Sequence, residues 1–554
     1  MARNAVFALG LLTGLIGIRW GLPGAQRLRA FPPSFQPTAE NARMLTERWN
    51  KLYAELERSH RRGDVEEPVT YVRGVEKIPA GWTTPPDSLL NSYRSLLLQS
   101  ESPDEKKSFI ILSRMRPWKL DFQPLYVVYP GAYIYPLGTF LKGLSLTGFV
   151  RLIPDMGHYL QTPGDMGRLY LGGRLFILLF QLGSLWALYD IGRRLGGPRA
   201  GALAALFFAV CPVAVTNSHI VKPHPYAAFW AIMALRSGLR ALETGRRGDY
   251  VLCGLLGGMT VGANFTLAFF GGMPLWAWAG RRAFAGTRDK LTSPLLACAL
   301  GAALFAALNP YFLFARASYA WELAYARSPL SVNFSAMGLV FRRLAGNGMG
   351  PALFALAAAA LVAGLTEPRR ERRWLAWLFV PAGLSIFGLL SVRAGFLAFQ
   401  HYYLPLVAWG CLMAALFCAE LPLSHVFAAI VLLTSGFKSG VYLANMAQDS
   451  SRTRCAEWLE RNVPEGTTVG LARYPDPAST PYFRYDRYTL VIFQDAKLLE
   501  AKPDYVVVDE SSRAQVEALN AYDRVETFGP ALARWVSDEG FFANAPMYVY
   551  RRKA

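Results

Sequence analysis

Cysteine is scarce, six residues in 554, and no two of them form a C-x-x-C pair. Cys211, Cys253, Cys298, Cys411 and Cys418 sit inside apolar runs as small hydrophobes, and only Cys455 lies elsewhere. A disulfide framework, a zinc ribbon and a redox dithiol are thereby excluded. Charge is sparse as well, 18% of residues against about 25% in ordinary soluble domains. Acids are outnumbered, 39 Asp and Glu against 58 Lys and Arg, and there are only six His. No internal repeat or low-complexity segment is present, beyond the short alanine run Ala357–Ala360.

Apolar residues make up 53% of the chain, with 34 Phe and 14 Trp, which points to a bilayer protein. The deciding feature is a series of apolar runs about long enough to cross a ~30 Å hydrocarbon core. They are residues 5–22, 169–192, 200–217, 225–243, 250–280 with a break near Asn264, 291–315, 351–366, 374–392, 403–421 and 424–443. The first reads as an uncleaved signal anchor, because Arg19-Trp20-Gly21-Leu22-Pro23 is a poor cleavage region.

Arg193-Arg194, Arg246-Arg247, Arg281-Arg282 and the run Pro368–Arg373 orient the spans by the positive-inside rule. Were Leu125–Val150 to cross as well, every later Arg cluster would fall outside. With its Pro130, Pro136 and Lys142 the segment is expected to lie in, or re-enter from, the outer face. The expected fold is a polytopic α-helical bundle of about eleven spans, N-terminus cytoplasmic, in the inner (plasma) membrane. Twelve spans with one inverted region is the rival. The domains expected are residues 1–445, membrane and catalytic, with a first outer loop at 23–168, and an extracytoplasmic α/β domain at 446–554. The net charge of +19 is explained by topology in the short loops, so nucleic acid is not an expected partner.

Within the first outer loop, residues 38–62 form an amphipathic helix with Ala42, Leu45, Trp49, Leu52 and Leu56 at helical spacing. It fits the membrane surface and equally a soluble subdomain. In the tail we expect a helix near 454–461, strands near 468–471, 488–493, 505–508 and 547–550, and a helix near 513–519. Its acids Asp476, Asp486, Asp495 and Asp504 read as solvated surface.

Ionisable residues at the outer ends of the spans carry the functional signal, since charge near a bilayer is costly. One group is Pro103-Asp104-Glu105-Lys106-Lys107, followed by Arg114, Arg116, Trp118 and Asp121. Glycosyl transfer needs a carboxylate to take the acceptor proton and cations to neutralise a departing phosphate. Asp104 fits that base, and it equally fits a helix N-cap after Pro103. Tyr126, Tyr129, Tyr133 and Tyr135 around Asp121 suit a sugar-binding wall or an interfacial belt. In Ser218-His219-Ile220-Val221-Lys222-Pro223-His224, Lys222 and His224 would meet a phosphate, or Lys222 would snorkel. Arg174 needs an anion, from protein or from lipid phosphate. His401 completes the set.

The pattern resembles the GT-C superfamily, the glycosyltransferases using lipid phosphosugars that are related to protein O-mannosyltransferases and the aminoarabinose transferase of lipid A. Ser102-Pro103-Asp104-Glu105, Tyr129-Pro130 and Arg174 are similar to successive family features, and so are Arg193–Ala205 with Pro212 and Ser218-His219. The resemblance implies an enzyme moving a sugar, with inversion, from a polyprenyl-phosphate carrier to an unknown acceptor on the extracytoplasmic face. It implies catalytic roles for Asp104, Glu105 and Asp121, and donor-phosphate or substrate contacts for Lys222, His224, Arg174, His401, Tyr129 and His219. Many members carry an Asp where this chain has Lys222-Pro223-His224, so we expect no metal cofactor, although divalent metal use varies within the family. The other function classes open to the sequence are a membrane transporter and a non-catalytic polysaccharide assembly protein.

Overall fold

The structure is a computed structural model that describes residues 2–62, 75–123, 129–287, 289–314, 334–391, 399–493, 498–529 and 544–553. Two compact units are interleaved along the chain. One comprises Met1–Ile16, Ile110–Phe140 and Arg174–Leu443, the other Gly17–Phe109, Leu141–Gly173 and Ala444–Ala554. One division falls at Leu443/Ala444, and most of the first outer loop shares a unit with the tail.

The first unit is helical. Four described helices are long and apolar enough to cross a membrane: Pro163–Ala209, Arg370–Ser391, Gln400–Cys418 and Ser424–Met446. Arg3–Leu15, Thr292–Leu308 and Pro351–Leu365 are apolar but shorter. Two expected spans, 169–192 and 200–217, meet within the 47-residue helix Pro163–Ala209 at Gly197, whose φ of 82° interrupts the helix just before Pro198. The break expected near Asn264 is present. Helix Arg247–Ala263 ends there, and the Asn264 side chain accepts from the main-chain N of Thr266 at 3.1 Å to start a tight turn at Phe265–Gly272. Of Leu125–Val150, residues 125–128 lie outside the described set, while Gly131–Leu146 is a helix containing Pro136.

Helices Arg247–Ala263 and Thr292–Leu308 approach backbone to backbone. A Cβ placed on Gly254 would stand 2.0 Å from the carbonyl oxygen of Ala297. One on Gly258 would stand 2.3 Å from that of Gly301. Small residues at four-residue spacing permit such crossings in a bilayer. Asn309, at the end of the second helix, is 2% exposed, accepts from the Gly131 N at 2.8 Å and donates to the Gly262 carbonyl at 3.3 Å.

The second unit holds a six-stranded mixed sheet in the order β1-β3-β2-β4-β6-β5. The strands are β1 (Val75–Ile78), β2 (Thr468–Leu471), β3 (Thr489–Phe493), β4 (Tyr505–Asp509), β5 (Tyr522–Phe528) and β6 (Met547–Arg552). Four of them, β2, β3, β4 and β6, fall on the stretches expected as strands. β5 carries charge at Asp523, Arg524 and Glu526 and is largely exposed, so it gave no apolar signal. β1 arrives from the first outer loop and pairs antiparallel with β3. Phe31, Phe35, Leu89, Tyr93 and Leu97 of that loop share one buried core with Leu459, Tyr485, Leu490 and Ile492 of the tail. In the amphipathic helix, Ala39–Arg62, Ala42 and Leu45 are buried in this core, so protein covers that part of its apolar stripe.

Candidate functional site

Asp104 stands immediately before helix Glu105–Arg114, with its carboxylate three-quarters buried and 3.5 Å from the Lys107 ammonium. Glu105 is fully buried and accepts from the Ser100 hydroxyl at 2.6 Å. Two cations share this neighbourhood. Arg94, on helix Asp87–Leu98, is 6% exposed, lies 3.7 Å over the Trp49 ring and donates twice to the Asn91 side chain. Burial pushes its guanidinium down to about 9. Burial also pushes the Lys106 ammonium below its ordinary range, against the attraction of Asp476 and with the repulsion of Lys107 and Arg94. Two desolvated cations that repel each other beside a carboxylate make a place where an added anion is welcome.

The hinge of this segment is Glu101, which is 1% exposed and was passed over in the sequence. It accepts from the Ser450 hydroxyl at 2.7 Å, the Tyr482 hydroxyl at 2.7 Å and the Arg452 guanidinium at 3.1 Å. Burial and then the charge of Glu101 push the Tyr482 phenol up to about 12. Segment Ser100–Glu105 is thus tied by one buried carboxylate on either side of Asp104. A sequence signal did exist for Arg94, as the one charged residue within the leucine-rich stretch Leu89–Leu98.

The remaining candidates belong to the other unit. Lys222 is 4% exposed and N-caps the 22-residue helix Pro223–Thr244, whose free N–H groups and positive dipole end attract anions. His224, one position into that helix, packs its ring 4.3 Å from His401 and 4.6 Å from Tyr402. The structure therefore brings together His224 and His401, which are far apart in sequence. His219 is fully buried, with its ring nitrogens 2.8 Å from the Val215 carbonyl and 2.9 Å from that of Ile16. Arg174 is fully buried in helix Pro163–Ala209. Tyr129 packs edge-on against Tyr133 at 5.9 Å, and Tyr133 against Tyr226 at 5.8 Å, so these rings belong to a buried aromatic cluster. Asp121 is exposed and holds its own turn: its main chain pairs with Arg116 and its carboxylate accepts from the Gln123 N at 3.2 Å. Tyr126 and Asp495 lie outside the described residues. Among the described residues, no three His, Cys, Asp or Glu side chains group as metal ligands.

Residues 166–311, which contain Arg174, His219, Lys222 and His224, match the dolichyl-phosphate-mannose-protein mannosyltransferase family. That match covers less than half of the chain. Among solved structures, the chain is similar to ArnT from Cupriavidus metallidurans bound to undecaprenyl phosphate, at 13% identity and TM-score 0.43, over 83% of this chain and 96% of that one. It is also similar to the Archaeoglobus fulgidus oligosaccharyltransferase in its apo form, at 12% identity and TM-score 0.40, over 79% and 72%. No curated protein sequence matches it.

Proposed function

We propose that this protein is a GT-C glycosyltransferase that moves a single sugar, with inversion, from a polyprenyl-phosphate carrier to an acceptor hydroxyl on the extracytoplasmic face of the inner membrane. The observation that carries the reading is the Asp104 carboxylate 3.5 Å from the Lys107 ammonium, in a unit that also holds the desolvated cations Lys106 and Arg94. In the reaction the acceptor oxygen bonds to the anomeric carbon, the bond from that carbon to the phosphate oxygen breaks, and the hydroxyl proton passes to Asp104. The polyprenyl phosphate leaves with its added negative charge met by cations. Lys222 and His224, at a helix N-terminus, are assigned to the carrier phosphate, as is Arg174; His401, Tyr129 and His219 support the carrier-binding unit. Glu105 positions Asp104, and Asp121 keeps its loop in shape. The reading includes about eleven spans, a cytoplasmic N-terminus and no metal requirement.

The test is purified protein with a synthetic polyprenyl-phosphate sugar. Asp104→Asn preserves the shape of the side chain and is expected to lower transfer by about 10²–10⁴-fold while leaving the melting temperature unchanged. Full activity in that variant would remove Asp104 from the mechanism.

A further inference from the structure

In the unit that holds the sheet, a cavity of about 450 Å³ opens beside the strands, within the ~300–1,000 Å³ range of small-molecule sites. The short helical turns Ala25–Ala30 and Pro33–Phe35 supply Arg29, Phe31 and Pro33. Helix Ser451–Asn462 supplies Glu460, and the turn before β3 supplies Arg484 and Arg487. None of these residues belongs to the acid–cation group around Asp104.

The chemistry of the lining is mixed in a particular way. Three arginines and one glutamate line it, and Leu28 and Pro33 add apolar surface. Guanidinium forks match a carboxylate or phosphate with two parallel hydrogen bonds. Glu460 repels an anion but accepts hydroxyl donors. It already takes the Arg484 N–H at 3.1 Å through one oxygen. A ligand suited to all three features carries one anionic group, several hydroxyls and a C–H face, which is an acidic sugar.

The arginines are held by acids outside the lining. Arg29 pairs with Glu457 at 2.9 Å, Arg484 with Asp486 at 2.6 Å and Arg487 with Glu465 at 3.3 Å. The first and third of these pairs are partly exposed, and such pairs are worth only about 0–1 kcal/mol, so they exchange readily for a ligand anion. The Nε of Arg29 is also buried without a hydrogen-bond partner among the described residues.

We infer that this cavity binds a monosaccharide unit bearing a carboxylate or a phosphate ester. As a place for the acceptor glycan it rests on the function proposed above; as a binding site it does not. The test is titration of the full-length protein in nanodiscs with glucuronate, glucose 6-phosphate and glucose, read by saturation-transfer NMR and calorimetry. One acidic sugar is expected to bind at least tenfold more tightly than glucose, and the tighter of the two names the anionic group. Arg487→Ala should lower that affinity about tenfold, and Arg487→Lys should restore part of it. Arg29→Ala should lower it similarly, with the melting temperature of each variant checked. Equal affinity for all three sugars would overturn the inference. So would acid binding untouched by both alanine variants, or inorganic phosphate binding as tightly as the sugar acids. Binding is read without turnover, so Asp104→Asn, which silences transfer, is expected to retain it.

Discussion

Lys106 shows how one residue can be good for chemistry and bad for the fold. Its ammonium is depressed by burial, so the unfolded chain holds that proton more tightly than the folded one. Stability therefore rises with pH as Lys106 passes through its folded value toward the ordinary lysine range, and at neutral pH the buried cation is a net cost. Lys106→Met keeps the stem and removes the charge. It should raise the melting temperature at pH 7 by about 1–3 °C, an advantage that narrows by pH 10, while transfer falls at least tenfold. A variant that melts lower than wild type at pH 7 would show that Asp476 outweighs the desolvation. The sequence offered Asp104 through its neighbours Pro103 and Glu105. Glu101 was hidden because its meaning lies in what buries it, and burial across a fold is not written in local spacing.

Among elements, the apolar helices were the most legible, since length and hydropathy suffice to find them; even the break at Asn264 could be placed from one polar residue in an apolar run. The closeness of the helices was legible too, though unread: Gly254 and Gly258 face Ala297 and Gly301, and both pairs keep the four-residue spacing of small residues. Because the atoms opposing a Cβ at Gly254 are backbone, no side chain can turn aside. Gly254→Ala is expected to cost about 1–3 kcal/mol by forcing the two helices apart, and Gly254→Val to yield little monodisperse protein. Gly388 is the control. It lies within helix Arg370–Ser391 with nothing near the position of a Cβ, so Gly388→Ala should be neutral or stabilising by about 0.5–1 kcal/mol. Equal melting temperatures for the two alanine variants would contradict the close crossing.

Across the whole molecule, composition turns from apolar to soluble near residue 445, where a unit boundary does fall, but composition does not show that the tail shares its unit with the first outer loop. The unit that contains the tail also needs the first outer loop, for three separate reasons. β1 covers one side of β3, with Ile78 only 4% exposed. Tyr93 packs edge-on against Tyr485 at 6.1 Å and donates to the Ala30 carbonyl, closing the core over the sheet. Glu101 supplies the carboxylate to Arg452, and both side chains are 1% exposed. A fragment of residues 446–554 would leave β3 as an open edge, expose the apolar face it shares with Phe31 and Leu97, and strand a buried guanidinium, a loss of about 3–5 kcal/mol by itself. Expressed alone, that fragment is expected to show no cooperative thermal transition by circular dichroism and poor dispersion in its amide spectrum. In the intact protein, Glu101→Ala should reproduce part of the same defect, lowering the melting temperature and speeding amide exchange in helix Ser451–Asn462. A sharp transition from the isolated fragment would show that the tail folds without the first outer loop.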